Sequence, residues 1–287
     1  MSSCLLTVDF EDFSHDLKRF LKIDNVVGRP ESLRKSLRVL EKILQETSSK
    51  NQVTFFVTGQ CARDYPEIIR EISESGHEIA CHGNFHDNIY SMTPSRFGDT
   101  LDQAIEHLQS ATKKDIIGFR APSFSINNQE WALEEIAKRF IYDSSYLSDT
   151  NLGSDGILEF SYGKHKLKEL PIYNPKFLFN KKIRVIGGTF LKLLPINKIL
   201  SLIEDSIKKN FIPIIYIHPY ELLYDNEFWV EMDEMVNVPK LKKYYWAVRQ
   251  NQWLSIGNKG FIKKLKIILK AYPHQGSISS YLNLVNN

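Results

Sequence analysis

Two histidines and a group of acids have the residue types and the spacing of a metal site. His82 and His86 stand four residues apart, directly after a short apolar segment typical of a strand. This spacing lets both imidazoles reach one ion from a single helical turn or a tight loop. Asp9, Glu11 and Asp12 lie at the end of the first apolar run of the chain. Parallel strands would bring these acids to the same sheet edge as the histidines.

Two imidazoles and one carboxylate suit catalysis by a divalent cation. Such a set leaves coordination positions open for water and substrate, so the cation lowers the pKa of bound water and polarises a carbonyl oxygen. Carboxylates that cluster without a cation or a proton repel one another. We therefore expect a divalent metal ion. Zinc is the first expectation, although cobalt, nickel or iron suits the same ligands.

Alternating strand and helix patterns predict the scaffold that positions these residues. Residues 5–10 form an apolar run typical of a buried strand, and apolar residues at three- and four-residue spacing follow Pro30. Further strands are expected at 53–57 and 77–81, and a late strand at 211–217 would place His218 at its end. The alternation predicts a mostly parallel sheet.

Length and composition predict one α/β domain. A chain of 287 residues is close to the upper size for a single core, and its 43% hydrophobic and 25% charged content excludes disordered and collagen-like classes. The net charge of +3 without a long block of like charges argues against a nucleic-acid partner. Residues 144–181 are predicted to form a long loop with short strands at 168–172 and 183–186. Residues 222–287 are expected to be a C-terminal extension packing on the barrel.

The ordered motifs resemble the polysaccharide deacetylase family that contains the NodB homology domain. The resemblance covers most of residues 5–221 and rests on Thr7-Val-Asp-Phe-Glu-Asp12, Gly76-His-Glu-Ile-Ala-Cys-His-Gly-Asn-Phe-His86, Gly118-Phe-Arg-Ala-Pro122 and Ile215-Tyr-Ile-His-Pro219. Tyr142-Asp-Ser-Ser145 and His218-Pro-Tyr-Glu221 further resemble the branch found with bacterial exopolysaccharide and surface-glycan loci. The resemblance implies one distorted (β/α) barrel with mostly parallel strands, seven in number.

The same resemblance implies roles for the site residues. Asp12, His82 and His86 would hold the metal ion. A carboxylate of the first motif would act as the base that deprotonates the attacking water. His218 would protonate the leaving amine. Arg120 would keep the base ionised and oriented.

Two details of this assignment need separate mention. Asp143 is expected to hold His218 in its charged form. The family usually has two adjacent Asp residues followed by Gly in the first motif, whereas this chain has Asp9-Phe-Glu-Asp12-Phe13. Asp9 is therefore favoured as the base, and Glu11 stays open as the alternative.

The expected function is removal of an N-acetyl or other N-acyl group from an amino sugar of a bacterial surface polysaccharide or its precursor. One alternative is hydrolysis of another non-peptide C–N bond, as in allantoinase-like enzymes. A second is a catalytically silent glycan-binding module. A third is a non-haem iron oxygenase, whose usual all-β scaffold conflicts with the alternating pattern.

The expected partner is an N-acetylated sugar or glycan. The N-terminal residues contain neither a basic segment nor an apolar segment of the secretory type, and three cysteines suit reduced core thiols, so a cytoplasmic protein is predicted. The lysine-rich stretch 261–269 has an amphipathic pattern. A solvated helix face is favoured there, and weak contact with a membrane surface is the alternative. The oligomeric state is not indicated.

Overall fold

Strands and helices alternate along most of the chain, as the apolar patterns predict. The computed structural model describes residues 2–126, 129–176 and 186–285. Its strands are β1 Leu5–Phe10, β2 Thr54–Val57, β3 Glu78–Cys81, β4 Gly118–Phe119, β5 Tyr142–Asp143, β6 Leu147–Ser148, β7 Leu158–Tyr162, β8 His165–Glu169, β9 Ile172–Tyr173 and β10 Ile214–Ile217. Its helices are α1 Phe13–Leu21, α2 Pro30–Thr47, α3 Gly59–Asp64, α4 Pro66–Glu74, α5 Pro94–Thr112, α6 Glu130–Ala137, α7 Gly188–Leu193, α8 Ile196–Lys208, α9 Lys240–Gln250, α10 Asn258–Ala271 and α11 Ile278–Val285.

One curled sheet organises the fold. Its strand order is β10-β1-β2-β3-β4-β5-β8-β7, and all neighbours are parallel except β7 and β8. β6 and β9 form a separate parallel pair. The expected single α/β domain with a mostly parallel sheet is confirmed, and the curled sheet forms a half-barrel. Within the described residues the main sheet has eight strands rather than the seven expected, because β7 adds an antiparallel strand to seven parallel ones.

The central strands are covered on both faces, which explains their apolar sequences. Every residue of β1 and of β10 is buried, and strands buried on both faces are apolar almost throughout. β10, β1, β2 and β3 are direct neighbours in the sheet. Because they are parallel, the residues that follow their carboxyl ends meet at one edge.

The segment predicted as a long loop contains more structure than expected. β7 and β8 form an antiparallel hairpin within it, and the predicted strand at 168–172 is divided between β8 and β9. Burial in β7 is only partial, and its apolar signal is correspondingly weak. The strand expected at 183–186 falls largely on residues 177–185, which lie outside the described residues.

The lysine-rich stretch 261–269 belongs to α10, and its apolar face is part of the core. Phe261, Leu265, Ile268 and Leu269 are all buried. α10 packs against α2 and α7. The apolar side chains of this face are covered by protein, and weak contact of its lysines with a membrane surface stays a prediction. The C-terminal boundary at residue 222 stays a prediction.

None of the helices within the described residues combines the length and the apolar composition that crossing a bilayer requires.

Candidate active site

A cavity of about 460 Å³ lies at the carboxyl edge of the sheet. Its lining includes Asp9, Glu11, His82, His86 and His218, five of the residues singled out from the sequence. They belong to β1 or follow β1, β3 and β10, which are close neighbours in the sheet. The parallel topology therefore brings together residues as far apart in the chain as Asp9 and His218.

Glu11, His82 and His86 form a group with the donor set of a metal site, which we call the metal-type group. Each residue offers one ligand atom, and these atoms all lie within 4.8 Å of one another. The Nδ1 atom of His82 is 2.8 Å from the carbonyl oxygen of Arg120. An Nδ1–H that donates to this carbonyl leaves the Nε2 lone pair available to a cation, as is usual for histidine ligands. Two imidazoles and one carboxylate in this arrangement fit a divalent cation such as zinc.

His86 lies between two carboxylates. Its Nε2 is 2.9 Å from Oε2 of Glu11, and its Nδ1 is 3.2 Å from Oδ2 of Asp16. Burial alone would lower the pKa of His86, but Glu11 and Asp16 raise it well above the ordinary value. By contrast, burial lowers the pKa of His82 to about 4. The negative charge that holds a proton on His86 would equally stabilise a metal cation.

The backbone at His86 is in an uncommon conformation. Its φ angle is +56°, in the left-handed region of backbone conformation that residues other than glycine rarely adopt. Such conformations concentrate at functional sites, where the surrounding structure enforces them. Here the two flanking carboxylates hold the imidazole and so stabilise the turn.

Asp16 is a residue of this site that the sequence reasoning missed. It lies in the first turn of α1, a helix that was not predicted. The signal was present: Phe13, Leu17 and Leu21 recur every four residues, and an Asp precedes the helix at its N-cap. Recognising α1 would have placed Asp16 one turn from the acids of the first motif.

Asp12 lies outside the group formed by Glu11, His82 and His86, and its role as a metal ligand stays a prediction. Its Oδ1 accepts a hydrogen bond from the backbone N–H of Ser14 at 2.9 Å and caps α1. Its Oδ2 accepts from the backbone N–H of Arg29 at 2.7 Å and from the hydroxyl of Tyr65 at 2.8 Å. Successive side chains of extended backbone point in opposite directions. Glu11 therefore faces the cavity, and the next residue turns toward the helix.

Asp9 forms a buried ion pair with Arg120. The Nη1 atom of Arg120 donates to Oδ1 of Asp9 at 2.7 Å and to Oγ1 of Thr7 at 2.8 Å. The guanidinium also donates to Ser144 and lies 4.0 Å from the centre of the Phe56 ring. Burial raises the pKa of Asp9, but Arg120, His82 and His218 together lower it below the ordinary value. Asp9 is thus ionised and held in one orientation.

His218 has a different acidic partner from the one predicted. Its Nδ1 lies 3.6 Å from Oε2 of Glu221, its Nε2 lies 3.8 Å from Oε1 of Glu11, and its ring stacks on Tyr220. Burial would lower the pKa of His218, but Glu221 and then Glu11 raise it above the ordinary value. Glu221, three residues along the same segment, and Glu11 are the carboxylates beside this imidazole, and the role of Asp143 toward His218 stays a prediction.

Asp143 instead pairs with Glu169. The two are directly opposite each other on β5 and β8, and both are completely buried. Oδ1 of Asp143 accepts from the backbone N–H of Ser144, while Oε1 of Glu169 accepts from the backbone N–H groups of Ser145 and Tyr146. Burial raises the pKa of Asp143 to about 6, and burial together with Asp143 raises that of Glu169 well above its ordinary value. Two adjacent carboxyl groups of this kind share a proton.

Comparison with protein families relates this site to a known class. Residues 29–139 match the family described as Polysaccharide deacetylase, and this segment contains both histidines of the metal-type group and Arg120. This chain has a polysaccharide deacetylase domain. Residues 151–255 match a domain of unknown function, DUF3473, which contains His218 and Glu221. The acids at the end of β1 precede the first match, so the fold assembles the cavity from both matched segments and from β1.

The deacetylase domain is similar to curated relatives over about a third of their length. A peptidoglycan deacetylase-like protein, FGM2, from Gibberella zeae is 37% identical over 106 residues, which cover 37% of this chain and 31% of the relative. The peptidoglycan-N-acetylmuramic acid deacetylase PdaA from Bacillus subtilis is 33% identical over 96 residues, covering 33% of this chain and 35% of the relative. These names describe the relatives.

Solved structures share the fold over almost the whole of this chain. A polysaccharide deacetylase-family protein from Mycobacterium smegmatis has a TM-score of 0.54 at 18% identity, covering 96% of this chain and 93% of its own. A carbohydrate esterase family 4 pseudoenzyme from Bacillus anthracis has a TM-score of 0.51 at 11% identity. The match covers 98% of this chain and 66% of the pseudoenzyme chain. At these identities the likeness establishes the fold of the deacetylase domain.

Proposed function

We propose that the deacetylase domain hydrolyses the N-acetyl group of an amino sugar in a surface polysaccharide or its precursor. One observation carries the proposal: a metal-type group, an ionised acid and a histidine with a raised pKa line the same cavity. The names of the relatives, which refer to deacetylation of peptidoglycan, support the substrate class. The partner is therefore an N-acetylated glycan.

Glu11, His82 and His86 would hold the divalent cation, with zinc as the preferred ion. When bound, the cation lowers the pKa of a water ligand and polarises the acetyl carbonyl. The chain contributes the negative carboxylate of Glu11 and the two imidazoles in a buried setting. The carboxylate of Asp16 adds negative charge beside Nδ1 of His86. This arrangement keeps the ligands oriented before the substrate arrives.

Asp9 is the base in this proposal. It lines the cavity, its pKa is lowered below the ordinary value, and its carboxylate is oriented by Arg120. An ionised carboxylate in this position accepts a proton from the water that attacks the acetyl carbon. The alternative base, Glu11, is assigned to the cation because it lies within 4.8 Å of both histidines.

His218 is the acid in this proposal. The carbon–nitrogen bond breaks to give acetate and a free amine, and the nitrogen must receive a proton because an amide anion is a very poor leaving group. The raised pKa of His218 keeps a larger fraction of the imidazole protonated near neutral pH. Glu221 stabilises this charged form at Nδ1, which leaves Nε2 to donate into the cavity.

Aromatic side chains on the wall provide surfaces for a sugar ring. Phe20, Phe190, Tyr220 and Trp253 line the cavity together with the ionisable residues. Sugar rings carry apolar faces that pack on aromatic rings, while the hydroxyl groups bind polar atoms nearby. A cavity of about 460 Å³ is within the range of small-ligand sites.

The test is acetate release from an N-acetylglucosamine oligosaccharide. We expect release by the purified protein, loss of release after treatment with a zinc chelator, and recovery on adding zinc. A protein that binds zinc and the oligosaccharide without releasing acetate is the silent glycan-binding module. Hydrolysis of allantoin in place of the oligosaccharide would indicate the other C–N hydrolase activity.

A further inference from the structure

The outer face of α9 carries an apolar stripe. Leu241 is 86% exposed, Val248 60%, Tyr245 57% and Tyr244 50%. These residues follow the i, i+3, i+4, i+7 spacing that places side chains on one face of a helix. The opposite face is packed into the protein through Trp246. A helix of a globular protein normally buries such a stripe, so the exposed one indicates a binding surface.

Basic residues accompany this stripe. α9 contains Lys240, Lys242, Lys243 and Arg249 and no acidic residue. Lys240 and Lys242 are exposed beside Leu241. Exposed leucine and tyrosine side chains next to lysines form the pattern of a helix that lies in the interface of an anionic membrane. The apolar side chains enter the acyl boundary, and the ammonium groups remain at the lipid headgroups.

α9 packs directly on the rim of the cavity. Trp246, on its buried face, stacks on Phe20 at 5.4 Å between ring centroids and contacts Trp253 at 6.0 Å. Both Phe20 and Trp253 line the cavity. Phe20 is itself 47% exposed and extends the apolar surface from α9 toward the cavity. A surface bound through α9 would therefore lie beside the site.

We propose that α9 docks this protein on a membrane surface that carries anionic lipid, next to the mouth of the cavity. A second copy of the chain fits this surface less well. A symmetric contact through the stripe would bring the lysines of the two copies together, and like charges in an interface are unfavourable. An anionic lipid surface complements both the apolar stripe and its basic flanks.

The experiment is co-sedimentation with vesicles, one set of phosphatidylcholine alone and one of phosphatidylglycerol mixed with phosphatidylcholine. We expect the wild-type protein to pellet with the anionic vesicles and to be released by salt. Leu241→Gln combined with Val248→Gln should weaken the apparent affinity by about tenfold or more, because both side chains leave the acyl boundary. Lys240→Gln with Lys242→Gln should weaken binding to the anionic vesicles specifically.

Ile141→Gln is the matched control, since Ile141 is 56% exposed and lies outside α9; it should bind like the wild type. The proposal is overturned if the wild type stays in the supernatant at low salt, or if the Leu241 and Val248 variant binds vesicles as well as the wild type. A dimer seen by sedimentation velocity that this variant abolishes, without vesicle binding, would assign the stripe to a second copy. Acetate release from a soluble oligosaccharide should be the same in the variant, so the docking and the proposed reaction are tested separately.

Discussion

Two groups of buried acids lie at the carboxyl edge of the same sheet, and they differ in what surrounds them. Asp9 and Glu11, at the end of β1, face a guanidinium and imidazoles and line the cavity. Asp143 and Glu169, on β5 and β8, face each other and bind backbone N–H groups of the next segment. The first pair has lowered pKa values, and the second pair has raised ones.

The comparison shows that burial at a sheet edge does not by itself identify a catalytic acid. Burial raises the pKa of all four carboxyl groups. Positive partners reverse the effect only at the end of β1, where the cavity also gives access to substrate. The Asp143–Glu169 pair instead holds the backbone of the segment that contains Ser144, which in turn binds Arg120. We infer a supporting role for that pair.

The same substitution, Asp to Asn, is made in each of the two acid groups, and we expect it to give the largest difference between them. Asp9→Asn removes the proposed base and should lower the rate of acetate release by about a thousandfold, within the range of general base catalysis. Zinc content should not change, because Asp9 is outside the metal-type group. Asp143→Asn, the matched control, should retain most of the activity. Equal losses in the two variants would contradict the distinction.

Arg120→Met tests the charge balance at the end of β1. The substitution leaves Asp9 buried without its cation, and removing one partner of a buried ion pair costs about 3–5 kcal/mol. The free energy of unfolding in urea measures this loss. The double variant Asp9→Asn with Arg120→Met should recover part of it, since no unpaired charge remains. Strict additivity of the two single losses would argue against coupling between these residues.

Glu169→Gln tests the acid pair through pH. The pKa of Asp143 in the folded protein is about 6 against an ordinary value of 3.8. A raised folded pKa stabilises the protein below the unfolded pKa, and this contribution is lost as pH rises through about 6. The substitution removes a carboxyl group whose own pKa is raised well above its ordinary value, so the pH-dependent loss should become smaller. Urea unfolding at about pH 5 and about pH 8 measures it, and an unchanged difference would exclude proton sharing by the pair.

The smallest expected effect concerns Asp12. Asp12→Ala removes the N-cap of α1 and the acceptor of the Arg29 N–H and the Tyr65 hydroxyl, so it should cost about 1–3 kcal/mol of stability. Its zinc content should match the wild type, whereas Glu11→Gln should lose zinc. Metal analysis after dialysis distinguishes the two. Loss of zinc from the Asp12 variant with retention in the Glu11 variant would restore the first assignment.

Much of this site was predictable from local sequence. The apolar runs that become β1, β3 and β10 are each followed by polar residues that can act as acids, bases or metal ligands. Parallel strands bring such residues to one edge of the sheet. His82, His86 and His218 were identified at these strand ends, whereas the pairing of a first-motif acid with Arg120 was implied by the family resemblance. The sequence by itself thus determined the class of fold and which ends of the strands carry the chemistry.

The tertiary structure decided how neighbouring polar residues divide their roles. Glu11 and Asp12 are adjacent in sequence, and only the point at which the extended backbone turns into α1 decides which carboxylate faces the cavity. Likewise, Glu221 rather than Asp143 lies beside His218 because Asp143 is paired across β5 and β8. Side-chain direction and the distances between elements depend on packing across the whole domain, and no local pattern in the chain contains them.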